Sequence, residues 1–348
     1  MEPESVLVVQ TAYLGDVALT TPLLDALRSA WPATTIDVLV RPEFVPLLAA
    51  HPSGARAVPL DKRGKDRGPI GSLLSAARLG RANYDLALSP HRSLRSALTL
   101  RLAGIPQRVG FDDAVGARLY TQTVGRDPAL HEVERVLSLL PAVGIAVPRK
   151  PRLSLGIEQN AQQSVERLLA DCAIDSDAAL VGVSPSSVWA TKRWPPDRFA
   201  ALINRIVDQT GMRVLLIGGA DDSALCNDVL AMCNAGVTNL AGRTTIAELT
   251  ALISRLALYV TNDSGPMHLA VACNVPLLAL FGSTVPEQGY APYTANCEIV
   301  QREGLACRPC GPHGHQRCPE KHFNCMNELG VDQAMAALLM LARRNGVI

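Results

Sequence analysis

The stretch from Leu258 to Ser283, L-Y-V-T-N-D-S-G-P-M-H-L-A-V-A-C-N-V-P-L-L-A-L-F-G-S, decides the fold. An apolar run from Leu256 to Val260 breaks at Thr261-Asn262-Asp263-Ser264-Gly265. An Ala-rich helical pattern then runs to Asn274, and a second apolar run covers Leu277 to Phe281. This order predicts strand, turn, helix and strand. The turn carries the chemistry. Asp263 and Ser264 are favoured at a helix N-terminus, Pro266 suits the first turn, and Gly265 lets a ligand approach the backbone. Amide groups left over at such an end attract a phosphate, and His268 lies within reach of the same anion. Taken alone, these residues fit an ordinary capped crossover helix equally well, so neighbouring stretches must decide.

Upstream, an apolar run from Ala179 to Ser184 breaks at Pro185-Ser186-Ser187, and Thr191-Lys192-Arg193-Trp194-Pro195 follows. Hydroxyls at Ser186, Ser187 and Thr191, with Lys192 as a mobile point charge, suit a diphosphate. A helix from Pro196 to Asp208 then buries Phe199, Leu202, Ile203, Ile206 and Val207. The next strand, Arg213 to Ile217, leads into Gly218-Gly219-Ala220-Asp221-Asp222, where an acid at a strand end accepts the hydroxyls of a ribose. Three ligand-suited loops at successive strand ends of one sheet argue together for a nucleotide site.

The first half repeats the pattern. Ser5 to Gln10 reads as a buried strand, followed by Thr11-Ala12-Tyr13-Leu14-Gly15-Asp16 and a helix bearing Leu23, Leu24 and Leu27. A single glycine, Gly15, rules out the dinucleotide fingerprint. Asp16 stands where open α/β sheets place ligands, although position alone favours a helix cap. Strands near 35–40, 55–60 and 84–88 alternate with helices near 70–81 and 93–103, which means a parallel sheet covered on both faces. His91, Arg92 and Arg95 follow one of those strands and are candidates for the same crevice. His131 opens another helix and reads as its solvated end. Residues 142–154, with Pro148 and Pro151, break the alternation as a linker.

A length of 348 residues exceeds one compact core, and 48% hydrophobic residues support two. Aromatic residues at 4% argue against stacking platforms for single-stranded nucleic acid, and 33 Lys and Arg against 32 Asp and Glu leave no nucleic-acid charge signature. The balance hides an asymmetry: residues 51–108 hold eleven Lys or Arg against three acids, a net +8. Such a basic segment suits an anionic partner. Without a charged-then-apolar leader or a spanning run, the expected location is the cytoplasm, where the nine cysteines stay reduced.

Gly15-Asp16, Thr191 to Pro195 (T-K-R-W-P), Thr261 to His268 (T-N-D-S-G-P-M-H) and Phe281 to Thr284 (F-G-S-T), in this order and spacing, resemble the bacterial lipopolysaccharide heptosyltransferases, glycosyltransferase family nine. The resemblance covers nearly the whole chain. It implies the GT-B architecture: two Rossmann-like domains with parallel sheets facing across a cleft, an acceptor-binding domain over 1–150 and an ADP-sugar-binding domain over 151–330. It also implies that a final helix within 331–348 packs back on the first domain. The implied reaction is inverting, metal-independent transfer of L-glycero-D-manno-heptose from ADP-heptose to the heptosyl-Kdo2-lipid A inner core, at the cytoplasmic face of the inner membrane. Matched residue by residue, Asp16 falls on the general base, Lys192 on the phosphate-binding lysine, Asp263, Ser264, Gly265 and His268 on the donor-diphosphate loop, and Asp222 on the ribose contact. The basic segment then acquires a purpose, since inner-core acceptors are anionic and sit at a membrane surface.

Cys307, Cys310, Cys318 and Cys325, with His313, His315 and His322 between them, fit a structural zinc site in ligand type and count, although their later gaps are atypical. Free thiols or a disulfide are the alternatives. Two other functions use the same residues: a sugar-nucleotide epimerase on this architecture, or a binding module whose cysteine segment is the working part. The binding module leaves the loops at Asp16, Lys192 and Asp263 without a purpose.

Overall fold

The computed structural model describes residues 2–348. The chain divides into two compact units, Met1–Gly156 and Ile157–Ile348. The first unit runs β1 (Ser5–Val9), α1 (Leu14–Ala30), β2 (Thr35–Val40), α2 (Val45–Leu48), β3 (Arg56–Pro59), α3 (Gly68–Gly80), β4 (Leu86–Ser89), α4 (Leu94–Leu102), β5 (Gln107–Phe111), β6 (Gln122–Val124) and α5 (Glu132–Leu137). Its strands are all parallel and lie in the order β3-β2-β1-β4-β5-β6.

The second unit runs α6 (Gln159–Asp171), β7 (Leu180–Ser184), α7 (Pro196–Thr210), β8 (Arg213–Leu216), α8 (Ser223–Ala231), β9 (Val237–Asn239), α9 (Ile246–Ser254), β10 (Leu258–Asn262), α10 (Gly265–Ala272), β11 (Leu277–Phe281), β12 (Cys297–Gln301), α11 (Asn324–Asn327) and α12 (Val331–Arg344). Its sheet, again all parallel, has the order β12-β11-β10-β7-β8-β9. Numbered within its own unit this is the same doubly wound order as the first sheet.

The central strands explain themselves. Val6 to Val9 of β1 and Leu277 to Leu280 of β11 are completely buried, as continuous apolar runs must be when helices cover both faces. Each unit closes a core of its own, one around Leu7, Val9, Leu39 and Leu88's neighbour Ala87, the other around Val183, Phe199, Ile203 and Leu278. The division falls beyond residue 150 because the chain stays tied to the first unit until Gly156. The Ser154 amide donates to Thr21 Oγ1 at 3.1 Å, the Ser154 hydroxyl donates to Asp25 at 2.5 Å, and Gly156 lies against the Ala50 carbonyl with no room for a side chain.

Within the second unit, α12 packs on α7, β11 and β12, and Met335, Leu338 and Leu341 belong to its core. The apolar stripe read from the sequence is real; its partner is the adjacent sheet edge.

Candidate active site

In a doubly wound sheet, ligands collect where neighbouring strands send their connections to opposite faces. In the first unit that place is between β1 and β4, and in the second between β7 and β10. The loops that leave these four strands hold most of the candidate residues.

In the first unit, Asp16 occupies the third position of α1, and its Oδ2 accepts the Tyr13 backbone N–H at 2.9 Å. The N-cap itself is Tyr13, and Asp16 closes back on it from within the helix. Its carboxyl is nevertheless pushed up to about 6, because burial outweighs the Tyr13 bond and the Glu132 charge adds to the rise. Tyr13 also lines a cavity of 280 Å³ together with Thr11, Arg41, Lys62, Arg63 and His91. Lys62 Nζ donates to the Thr11 carbonyl at 3.4 Å, and its ammonium is pulled down to about 8 by burial and by Arg95 and Arg41. His91 Nδ1 lies 3.2 Å from Thr11 Oγ1 and 2.8 Å from Ser96 Oγ. Burial and the Lys62 charge hold the His91 ring down at about 4, so it is neutral at physiological pH. Glu43, paired with Arg41, and Asp61 also line the cavity, so Arg41, Lys62 and Arg63 leave it with a net excess of one positive charge beside the loop that carries Asp16.

Of the other residues read as lining this crevice, Arg92 turns outward to pair with Asp113 at 3.0 Å, while Arg95 bonds the Asp66 carbonyl. His131 caps α5 by accepting the Val133 N–H at 3.2 Å, as a helix-end residue should.

In the second unit, Lys192 Nζ and Asp263 Oδ2 meet at 2.6 Å with both side chains largely buried. Thr284 Oγ1 donates to the same carboxylate oxygen, also at 2.6 Å. Three loops, after β7, β10 and β11, therefore converge on one carboxylate. Asn262 fastens two of them: its Nδ2 donates to the Pro185 carbonyl at 2.8 Å and its Oδ1 accepts the Trp194 N–H at 3.1 Å. Ser186 is reached by the same amide at 3.4 Å, and the Ser187 carbonyl accepts from Arg193 Nε at 2.8 Å. Ser264 is the N-cap of α10, held by Thr261 Oγ1 at 3.2 Å, and Gly265 and Pro266 open the helix. The amide-rich end of α10 carries partial positive charge beside Asp263 and Lys192. His268 is buried in the same helix. Asp222 stands apart at the end of β8, where its Oδ2 accepts the Gly219 N–H at 2.8 Å.

Thr191 is buried beneath a segment whose role sequence reasoning missed. Its N–H donates to the His315 carbonyl at 3.0 Å, its hydroxyl accepts the His315 N–H at 2.8 Å, and Ser283 Oγ lies 3.1 Å away. The Cys310 N–H donates to the Ser283 carbonyl at 2.7 Å. Trp189 and His313 stack with ring centres 6.3 Å apart and planes within 8°. Burial and the Lys192 charge lower the His313 ring's affinity for a proton, while Asp263 opposes them. Residues 310–316 are thus a strap over the lysine loop. Gly314 makes the approach possible: at φ +78° a Cβ there would lie 2.6 Å from Ser283 Oγ and 2.9 Å from Thr191 Oγ1.

The strap replaces the expected zinc site. All nine cysteines are free, and among the described residues no group of three or more His, Cys, Asp or Glu is arranged to hold a metal ion. Cys325 is turned into the core beside Met326, and Cys310 Sγ donates to the Cys307 carbonyl at 2.9 Å. Burial pushes the Cys325 thiol up to about 11 and also raises that of Cys310, with the neighbouring cysteines adding to both rises. Cys307, Cys310, Cys318 and Cys325 are therefore parts of a hydrogen-bonded loop and its anchor.

The sequence signals for the missed residues were weak. Arg41 stands singly after β2, Lys62 is one charge among many in the basic segment, and Thr284 only completes the F-G-S-T run. Among the described residues no helix is long and apolar enough to cross a membrane.

Comparison with known proteins agrees with this geometry. The profile of "Glycosyltransferase family 9 (heptosyltransferase)" matches residues 74–323. The lipopolysaccharide heptosyltransferase 2 of Salmonella typhimurium is 30% identical over 300 residues, covering 81% of this chain and 84% of that one. The structure of the Escherichia coli ADP-heptose lipopolysaccharide heptosyltransferase II superposes with a TM-score of 0.80 at 25% identity, over 99% of this chain and 100% of that one. A family 9 glycosyltransferase from Veillonella parvula gives a TM-score of 0.89 at 21% identity, over 99% and 98% of the two chains, and so shares the fold. Two parallel six-stranded Rossmann-like sheets of this kind are the GT-B fold. The chain belongs to glycosyltransferase family 9.

Proposed function

We propose that this chain transfers heptose from ADP-heptose to the inner core of lipopolysaccharide, with inversion at the anomeric carbon. The observation that carries the reading is the convergence of Lys192, Asp263 and Thr284 beside the N-terminus of α10, at the strand crossover of the second unit. Two of the relatives named above are lipopolysaccharide heptosyltransferases by name, and one of these is named for ADP-heptose.

Inversion needs one displacement. The acceptor hydroxyl attacks the anomeric carbon, the bond from that carbon to the diphosphate oxygen breaks, ADP leaves with the bonding pair, and Asp16 takes the hydroxyl proton. A carboxyl held near 6 suits the work, being ionised at neutral pH yet more basic than an ordinary aspartate. Charge developing on the diphosphate is met by Lys192 and the amides at Ser264 and Gly265, which lets the transfer proceed without a metal ion. His268, Ser186, Ser187 and Thr191 shape the diphosphate side, and Asp222 receives the ribose. The cationic cavity of the first unit, with Arg41, Lys62 and Arg63, takes the anionic acceptor. We place this work at the cytoplasmic face of the inner membrane, where such an acceptor is anchored.

The test is a transfer assay with ADP-heptose and a heptosyl-Kdo2-lipid A acceptor, run with wild type and Asp16→Asn. Product with inverted anomeric configuration from the wild type, and its loss in the variant with ADP affinity retained, supports the reading. Epimerised ADP-heptose in the absence of acceptor overturns it.

A further inference from the structure

Two neighbouring helices of the first unit, which bury Leu79 and Leu100 in the core, carry a second apolar stripe on their outer faces. On α3 the outward positions are Ile70, Leu73 and Leu74, each 58% exposed or more, whereas Gly71, Ser75 and Ala76 face the core. On α4, Leu94, Leu98 and Leu102 are 39–50% exposed while Ser96, Ala97 and Thr99 are buried. The spacing in each case is one helical stripe, and the two helices pack side by side. Val115, 78% exposed, extends the apolar surface past the start of α4, where its N–H donates to the Arg92 carbonyl at 3.2 Å. Single exposed leucines are ordinary; two aligned stripes make a contiguous patch, and such patches mark contact surfaces.

The charge around the patch selects the partner. Neither helix contains an acidic residue, and exposed Arg63, Lys65 and Arg67 precede α3, Arg78 and Arg81 end it, and Arg101 closes α4. Asp66 is buried and paired with Arg78 at 3.2 Å, and of the exposed Asp112 and Asp113 that precede Val115, Asp113 is paired with Arg92 at 3.0 Å, so the excess around the two helices stays positive. A second copy of the chain brought face to face would set these cations against each other. An apolar stripe inside a cationic rim matches a bilayer surface bearing anionic headgroups, with leucines entering the interface and arginines meeting phosphates.

We infer that the α3 and α4 face of the first unit docks on an anionic lipid surface. This rests on the reading of the acceptor as lipid-anchored, and it names the surface that performs the contact. Asp61, Lys62 and Arg63 of the cavity lie in the connection that leads into α3, so docking brings that cavity towards the headgroup layer.

The experiment is flotation of the full chain with vesicles of phosphatidylcholine alone or mixed with phosphatidylglycerol. Wild type is expected to float with the mixed vesicles and weakly with the neutral ones. Leu73→Ser with Leu74→Ser lowers the partition at least about tenfold through lost apolar burial. Arg67→Gln with Arg81→Gln lowers it roughly thirtyfold, at about fivefold for each charge. Unchanged melting temperatures in both variants show that the fold is intact, as expected for exposed positions. Absence of wild-type binding to mixed vesicles overturns the proposal, as does binding that neither variant weakens. A dimer dissolved by the leucine changes, without vesicle binding, assigns the patch to a second copy and also overturns it. The flotation contains no substrate, so a failure of heptose transfer to a deacylated, water-soluble acceptor sinks the activity while leaving the docking result to stand or fall by itself.

Discussion

The Lys192 ammonium and the Asp263 carboxylate, 71 residues apart in the chain, meet at 2.6 Å with little water around either. A pair in that setting is weak evidence of stability, since desolvation offsets most of the attraction. Its value is positional: the lysine is held over the end of α10 before any donor arrives. Lys192→Ala should therefore lower kcat by roughly 10²–10³, the usual consequence of removing one group that stabilises developing charge. Lys192→Arg keeps charge without the compact geometry and should recover only part of the loss. Steady-state kinetics with varied ADP-heptose measures both.

Asp16 sets the acid side of the pH profile. The base must be ionised, so kcat should climb as pH passes about 6. Lys62 loses its proton as pH passes about 8, which weakens the hold on an anionic acceptor and closes the profile on the alkaline side. Asp16→Asn should cost roughly 10²–10⁴ in kcat and remove the acid limb. A profile unchanged by the substitution would show that another group takes the proton.

The same carboxyl predicts a stability change of opposite sign. Its folded-state value lies above the ordinary 3.8, so between about 4 and about 6 the folded state holds a proton the unfolded state has released. Stability from this group falls as pH rises through that window and stays lower above it. Asp16→Asn keeps the Tyr13 bond without the charge, and should raise unfolding free energy at pH 8 by about 1–3 kcal/mol and much less at pH 4. Denaturant melts at the two pH values decide it.

Gly314 holds the strap against the lysine loop. Gly314→Ala meets Ser283 and Thr191 at contact distances no Cβ tolerates, at a backbone angle alanine resists. The expected result is a rise in KM for ADP-heptose of about tenfold or more with a smaller change in the KM for acceptor. An equal rise in both would mean a general loss of folding.

The thiols give the contrasting expectation. Cys307→Ser with Cys310→Ser should leave transfer within about twofold of wild type, in the presence or absence of a chelator, because these side chains serve the loop rather than a metal. Cys325→Ser places a hydroxyl among Met326 and its apolar neighbours and should cost about 1–3 kcal/mol. Thermal melts and the transfer assay, run side by side, separate the two.

How much of this was legible in the sequence follows from where each residue stands. The central strands were, because a strand buried on both faces is written as an unbroken apolar run, as in Leu277 to Phe281. Three of the four edge strands were not: β6 is Gln122–Val124, β9 is Val237–Asn239, and β12 starts with Cys-Glu, and such short, mixed segments carry no period. The loops with Lys192 and Asp263 were found because residue type and strand end coincide. The cavity of the first unit was only half legible, since Arg41, Lys62 and His91 come from three separate connections that meet through tertiary packing. The cysteine cluster misled, because spacing along the chain says nothing of which thiols turn into the core.

The repeated strand order has a consequence for how such enzymes diversify. Each half encloses its own interior and offers its own crevice, and no strand is shared between the two sheets. Under the proposed division of labour, substitutions that retune one half for a new alcohol need not disturb the other half's grip on a nucleotide, so acceptor preference could drift among descendants while the sugar-carrying handle stays the same.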